Sequence, residues 1–281
     1  MSEAIAPSLA TALEQLVADD GAAVLVALDF DGVLAPLVDD PTASRMTAAT
    51  RAAVDRLGAH VRGDGPADAG AAAGRARLAF VSGRDLEDLA QRSVPPVGAY
   101  LVGSHGAQTG HATTAGLDAV PFELTAEQAD VLAELTAALD AAVVGRDGAW
   151  VQRKPSAAVL HTRTAGPADT AAAVEAADAA AARLGLDAMH GKDVVEIAVL
   201  HTTKGEALER LRTVVAQDAG ASATRVLYAG DDTTDEKAFA VLGAGDVTIK
   251  VGPGETLAAH RVADSDAVAA VLDRITDLLA V

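Results

Sequence analysis

The chain has 281 residues, half of them apolar and only 2% aromatic, so it can bury a large core, in one or two domains, packed mainly with Val, Leu and Ala. It contains no cysteine, which excludes a disulfide framework, a thiolate nucleophile and Cys-ligated zinc. A net charge of −18 argues against nucleic acid or an anionic membrane as a partner. The N-terminal stretch lacks a basic segment and no apolar run approaches membrane-spanning length, so the expectation is no signal peptide and a soluble, cytoplasmic protein.

In chain order, residues 8–19 read as an amphipathic helix carrying Leu9, Leu13, Leu16 and Val17, ending at Gly21. The next stretch, Ala23 to Leu28, is apolar without helical period and stops on Asp29-Phe30-Asp31-Gly32. Such a run fits a strand buried on both faces, as in a parallel sheet. Two acids at the end of a buried strand cost free energy unless a metal or a cation compensates them, and that edge is where ligands bind in open parallel sheets. Pro36, Asp39, Asp40 and Pro41 then mark a loop, followed by a helix to about Leu57. Residues 62–76 are a Gly-rich insertion whose Arg-Gly-Asp triplet reads as coincidence. A second buried strand, residues 78–81, runs into Ser82-Gly83-Arg84-Asp85 and a helix; a third, residues 99–102, runs into Gly103-Ser104-His105-Gly106. Strand, turn and helix in repetition predict a doubly wound α/β core with a Rossmann-like parallel sheet.

The rhythm changes between 107 and 198. A helix over 126–143, strands over 149–153 and 157–162, an Ala-rich helix over 168–184 and strands over 186–190 and 193–198 predict an inserted α+β unit with an antiparallel sheet. Pro167 opens the second of these helices and Gly185 closes it. The expected division is therefore a core of residues 1–106 and 199–281 with an insertion at 107–198. After His201, which reads as a strand end, the βα rhythm resumes at the helix start Lys204-Gly205-Glu206, and a strand over 225–229 runs into Gly230-Asp231-Asp232-Thr233-Thr234-Asp235-Glu236.

Four strand or helix ends thus bring Asp29 and Asp31, Ser82, Lys204, and Asp231 with Asp235 toward one edge. Hard carboxylate ligands without His or Cys suit Mg²⁺, with phosphate and water completing its shell. In this order the four motifs resemble those of the haloacid-dehalogenase superfamily of phosphohydrolases. That resemblance implies Asp29 as nucleophile forming an aspartyl-phosphate, Asp31 as acid and base, Ser82 as donor to a phosphoryl oxygen and Lys204 as compensating cation. It also implies a Mg²⁺ site from Asp29, Asp31 (through its backbone carbonyl) and Asp231, with Asp235 contributing at one remove. The superfamily commonly has Thr after Asp-x-Asp-Gly; here it is Val33.

Further motifs narrow the resemblance. Arg153-Lys154-Pro155-Ser156, Leu160-His161-Thr162-Arg163 and His190-Gly191-Lys192-Asp193-Val194-Val195-Glu196, taken with the core motifs, resemble the trehalose-6-phosphate phosphatase family over nearly the whole chain. The resemblance implies Mg²⁺-dependent hydrolysis of trehalose 6-phosphate, a small-molecule sugar-phosphate partner and functional coupling to a trehalose-6-phosphate synthase. The inserted unit would act as a cap that excludes water and grips the sugar. Arg84, His105, Lys154, Lys192 and Glu196 are the candidate substrate contacts; a strand would set Lys192, Val194 and Glu196 on one face. His105 serves equally as a structural histidine in its turn, and His161 and Arg163 share a strand face. Ala198-Val199 stands where many family members have Arg-Pro. A phosphatase for sucrose 6-phosphate or a mannosylglycerate phosphate, or a non-catalytic sugar-phosphate sensor partnering a trehalose synthase, are the alternatives.

Overall fold

In the computed structural model, residues 5–18, 21–38, 40–61, 73–200 and 202–280 are described. Asp39, the segment 62–72 with its Arg-Gly-Asp triplet, and His201 lie outside them. In chain order the larger elements are α1 (Pro7–Leu16), β1 (Ala23–Leu28), α2 (Ala48–Val61), β2 (Ala76–Val81), α3 (Leu86–Ser93), β3 (Tyr100–Gly103), β4 (Gln108–Thr113), β5 (Gly116–Ala119), α4 (Ala126–Val143), β6 (Trp150–Lys154), β7 (Ala157–His161), α5 (Pro167–Leu184), β8 (Ala188–Gly191), β9 (Val194–Ala198), α6 (Lys204–Asp218), β10 (Thr224–Gly230), α7 (Thr233–Val241), β11 (Val247–Val251), β12 (His260–Val262) and α8 (Ser265–Leu279). Among the described residues no helix is long and apolar enough to cross a membrane.

The chain divides into two compact units, Met1–Val120 with Thr202–Val281, and Pro121–His201. The first is built on an eight-stranded sheet of order β12-β11-β10-β1-β2-β3-β4-β5. Strands β12 through β3 are parallel, and β4 and β5 are added antiparallel at one edge. All six residues of β1 are buried, because helices cover both of its faces. Val24, Val26 and Leu28 pack with α1, α2, α3 and α8, through residues such as Leu13, Leu57, Leu89 and Leu272. Ala23, Leu25 and Ala27 pack the other way, with Leu208 and Leu211 of α6 and Phe239 of α7. A period of two with both faces apolar is what makes this strand read as one continuous apolar run.

The expected boundary at residue 107 moves to 120. β4 turns back directly onto β3, pairing Gly103 with Gln108 and Leu101 with Gly110, so residues 108–119 extend the large sheet. β5 is the edge and β4 lies next to it, between β3 and β5; the polar Gln108, Thr109, His111 and Thr113 of β4 mask the apolar run that marks the central strands.

The second unit is the expected α+β insertion, an antiparallel sheet β6-β7-β9-β8. Leu135 and Leu139 of α4 and Ala173, Ala177 and Ala181 of α5 pack on one face of it, against Ala158, Leu160, Val195 and Ile197. Thr125 and Gln128 form a capping box that starts α4, and Gly185, at φ 68°, ends α5. Lys192 lies in the turn between β8 and β9 rather than on the strand, so it does not share the pleat of Val194 and Glu196.

Because β1 sits mid-sheet with no room to relax, Leu28→Ala is expected to lower the unfolding free energy by about 2–5 kcal/mol, read from urea denaturation.

Candidate active site

Every catalytic candidate projects from the carboxyl edge of the large sheet or from the helix starts beside it. The parallel register pairs Leu28 with Phe80 on one side and with Ala229 on the other, so Asp29 emerges between the turns that carry Ser82 and Asp231. Asp29 is buried, as is Lys204, whose ammonium donates to Asp29 Oδ2 at 2.7 Å and to Asp235 Oδ1 at 2.8 Å. The backbone N–H of Phe30 donates to Asp29 Oδ1 at 2.6 Å.

Lys204 occupies the first turn of α6, where Thr203 and Glu206 form a capping box. A helix N-terminus repels a cation, and burial repels it further. Burial is the largest effect on the Lys204 ammonium and pulls it down, but Asp29 and then Asp235 outweigh it and hold the group charged, above its ordinary value. Gly205 permits this placement, because a Cβ there would meet the Lys237 carbonyl oxygen at 2.6 Å.

Asp235 is fully buried and its carboxylate is saturated. Oδ1 accepts from Lys204 and from the Tyr228 hydroxyl at 2.5 Å; Oδ2 accepts from the N–H groups of Asp231 at 2.8 Å and Asp232 at 3.0 Å. It therefore shapes the 230–235 turn and orients Lys204. Burial pushes the Tyr228 hydroxyl well above its usual range, with Asp235 and Asp29 adding to the effect, so it stays a protonated donor.

Carboxylate oxygens of Asp29, Asp231 and Asp235 lie within 4.8 Å of one another. Burial, then Asp232 and Asp235, push the Asp231 carboxyl up to about 7. Burial also raises Asp29 well above its ordinary value; Lys204 opposes the rise and Asp235 adds to it. This excess of negative charge, offered as hard oxygens, fits a divalent cation. Gly32 leaves the room: at φ +75° it abuts Asp231, and a Cβ there would lie 2.0 Å from Oδ2. Lys250, buried in β11, donates to the Asp231 carbonyl and fixes the loop from behind.

Asp31 is a candidate ligand through its backbone carbonyl, and its side chain lies outside that cluster. Arg84 grips it with Nε to Oδ2 at 2.6 Å and Nη2 to Oδ1 at 2.8 Å, and Ser44 Oγ donates to Oδ1 at 2.7 Å. Arg84, a candidate substrate contact, is thereby committed to Asp31, to Asp88 Oδ2 at 2.6 Å and to the Pro41 carbonyl at 3.0 Å. Ser82 is buried and accepts from the Arg84 N–H at 3.2 Å. His105 sits at φ +54° in a turn stitched to the Ser82 turn: its N–H donates to the Ser82 carbonyl at 3.1 Å, and its ring lies against Gly83. Val33 is wholly buried in the core, which accounts for an apolar side chain at that position.

In the second unit, Glu196 pairs with Lys154 at 2.9 Å, and both side chains are largely buried. Lys192 is exposed in its turn. On the same sheet face His161 stacks on Trp150 with ring centroids 4.1 Å apart, and its Nε2 lies 3.0 Å from Gln152 Oε1. Burial, then Lys154, hold the His161 ring below its usual value, toward the neutral form. Trp150, Ser44, Tyr228 and Lys250 are absent from the candidates that the sequence suggests. Trp150 is the chain's only tryptophan, which is a signal; the other three lack a motif of their own.

Residues 27–268 match the family model described as trehalose-phosphatase. The chain is 32% identical over 259 residues to a trehalose-phosphate phosphatase of Mycobacterium marinum, covering 88% of this chain and 59% of that protein. It is 30% identical over 278 residues to a trehalose 6-phosphate phosphatase of Zea mays, covering 93% and 72%. The solved C-terminal domain of a Candida albicans trehalose-6-phosphate phosphatase superposes with a TM-score of 0.72 at 19% identity, covering 98% of this chain and 99% of that one. The chain thus spans little more than half the length of the mycobacterial relative.

Removing the buried cation should leave Asp29 and Asp235 uncompensated. Lys204→Met is expected to cost about 3–5 kcal/mol of stability at neutral pH in urea unfolding. The loss should shrink as pH falls, because the Asp29 carboxyl, already held high, takes up a proton.

Proposed function

The chain belongs to the trehalose-phosphatase family, and from that premise we propose that it hydrolyses trehalose 6-phosphate to trehalose and phosphate through an aspartyl-phosphate on Asp29, with Mg²⁺ as cofactor. The observation that carries this reading is the buried Asp29–Lys204 pair beside Asp231 at the carboxyl edge of the sheet. A binding protein has no need to bury a carboxylate against an ammonium next to a cluster of further acids.

Asp29 attacks phosphorus with a carboxylate oxygen, the Lys204 ammonium favouring its ionised form against the effect of burial; this attack divides the hydrolysis into two easier displacements. Asp31 protonates the departing sugar oxygen and then deprotonates the water that releases phosphate. Ser82 donates its hydroxyl proton to a phosphoryl oxygen, and Lys204 offsets the charge gathered beside Asp29. Asp29 and Asp231 would hold the Mg²⁺, with the backbone carbonyl of Asp31. When bound, the ion neutralises charge between these carboxylates and the phosphate. Asp235 acts at one remove, by fixing the Asp231 N–H and the Lys204 ammonium.

Specificity for the sugar is assigned to the second unit, whose sheet carries Lys154 and Glu196 on the face opposite α4 and α5, with Lys192 in the adjoining turn. A functional link to a trehalose-6-phosphate synthase, which makes the substrate, completes the reading.

Purified Asp29→Asn is expected to fold and to lack turnover, and excess chelator is expected to abolish phosphate release from the wild type in a way that added Mg²⁺ restores. Wild-type turnover by the variant, or full activity in chelator, contradicts the proposal. Glu196→Ala and Lys192→Ala should each lower kcat/KM on trehalose 6-phosphate about ten- to a hundred-fold, the worth of a hydrogen bond to a charged group. Hydrolysis of p-nitrophenyl phosphate, which has no sugar, should barely change on the same preparations. Equal loss on both substrates would make these residues structural.

A further inference from the structure

The charge around Asp31 is arranged more tightly than a lone acid–base group requires. Arg84 meets it as a planar fork, with both carboxylate oxygens engaged at 2.6 and 2.8 Å. A bidentate guanidinium fixes the plane of its partner as well as its position. The fork is itself braced. Nη1 is tied to Asp88 in the first turn of α3, and Asp88 is tied in turn to Arg92 Nε at 2.6 Å. The second Nη2 hydrogen reaches the Pro41 carbonyl, and the guanidinium carbon lies 5.7 Å over the buried Phe30 ring. From the other side comes Ser44, wholly buried, whose hydroxyl donates to Asp31 Oδ1 at 2.7 Å.

The two oxygens of Asp31 are therefore unequal. Each has two in-plane acceptor positions. Among the described residues, Oδ1 accepts from Arg84 and from Ser44, while Oδ2 accepts from Arg84 alone. We infer that Arg84 and Ser44 are positioning residues for Asp31, clamping its carboxylate so that Oδ2 is the atom that gives and takes the proton.

This inference rests on the acid–base reading of Asp31 above. In the first step an Asp29 oxygen bonds to phosphorus as the phosphorus–sugar oxygen bond breaks, and the proton on Asp31 Oδ2 passes to that sugar oxygen. In the second, a water oxygen bonds to phosphorus as the phosphorus–Asp29 bond breaks, and a water proton passes to Oδ2. One water is consumed and Asp31 ends as it began. A sugar alkoxide is a poor leaving group and needs the proton. A p-nitrophenolate leaves without one, so its release in the first turnover does not use Asp31, whereas the second step still does.

The test compares the full-length wild type, Arg84→Lys, Ser44→Ala and Asp31→Asn on trehalose 6-phosphate and on p-nitrophenyl phosphate in rapid-quench experiments, with melting temperatures measured for each. On trehalose 6-phosphate, Arg84→Lys should lower kcat about ten- to a hundred-fold, part of the ~10²–10⁴ available to acid–base catalysis, with KM nearly unchanged. Ser44→Ala should act in the same direction by about three- to ten-fold, as expected for one lost hydrogen bond. Both should release p-nitrophenolate in the first turnover at close to the wild-type rate and then turn over slowly. A loss of the same size in the first turnover on both substrates, or a rise in KM at constant kcat, overturns the inference and makes Arg84 a structural or substrate-binding residue. Asp31→Asn separates the two levels of the argument. If it also fails to spare the first turnover of p-nitrophenyl phosphate, the acid–base reading of Asp31 falls; if it alone spares it, only the clamp falls. Should Arg84→Lys not fold, Ser44→Ala, which leaves the ion pairs intact, decides the matter.

Discussion

A lysine ammonium buried at the start of a helix is the constraint on which the site depends. Lys204 is repelled by the low dielectric around it and by the positive end of α6, and the Asp29 and Asp235 carboxylates are the ion-pair partners that hold it there among the described residues. That requirement ties three separate parts of the chain together: the end of β1, the start of α6 and the first turn of α7. None of the three can shift without leaving a charge uncompensated. The large sheet supplies the rigidity that keeps this arrangement in register, since β1 is covered on both faces and paired with β2 and β10.

Around that pair the acids take different tasks from their hydrogen bonds. Asp235 has both oxygens filled by protein donors and so organises its neighbours. Asp231 is pushed up to about 7, first by burial and then by other acids, and calls for a cation of its own. The Asp31 side chain lies outside their cluster and is held by Arg84 and Ser44. Carboxylates of one chemical type thus sit in different settings according to what each one touches, and the roles proposed for them above follow those settings.

Most of the fold was legible because its signals are local. The apolar run of β1 and its Asp-x-Asp end, the Pro167 and Gly185 limits of α5 and the span of α4 all follow from pattern and capping chemistry. Strands β4 and β5 were not: β5 is the edge of the sheet, with no partner on one side, and β4 beside it carries the polar residues Gln108, Thr109, His111 and Thr113, so neither shows the apolar run of the central strands. The gathering of the candidate residues was legible to the same extent. Asp29, Ser82, Lys204 and Asp231 stand in motifs at strand or helix ends and do gather at one edge. Ser44 and Tyr228 carry no motif; each matters through a hydroxyl that reaches a carboxylate 13 or 7 residues away in the chain, a relation that only the folded backbone creates. Arg84 stands inside a motif, yet its partner could not be read: a cation beside a phosphate site suggests the phosphate, and the structure gives it to Asp31 instead. Likewise strand period sets Lys192 and Glu196 on one face, able to reach one ligand, but Lys192 falls in a turn and Glu196 is ion-paired with Lys154.

The central claim is that the carboxylate held by Lys204 becomes covalently phosphorylated. Its most direct test is to mix the enzyme with trehalose 6-phosphate labelled with radioactive phosphorus, quench in acid within the first turnover, and map the label after proteolysis. The account predicts protein-bound phosphate that survives acid, is released by hydroxylamine as an acyl phosphate must be, and lies on the peptide containing Asp29. Label on a different residue, or none on the protein at a time when free phosphate is already accumulating in proportion to enzyme, would contradict it.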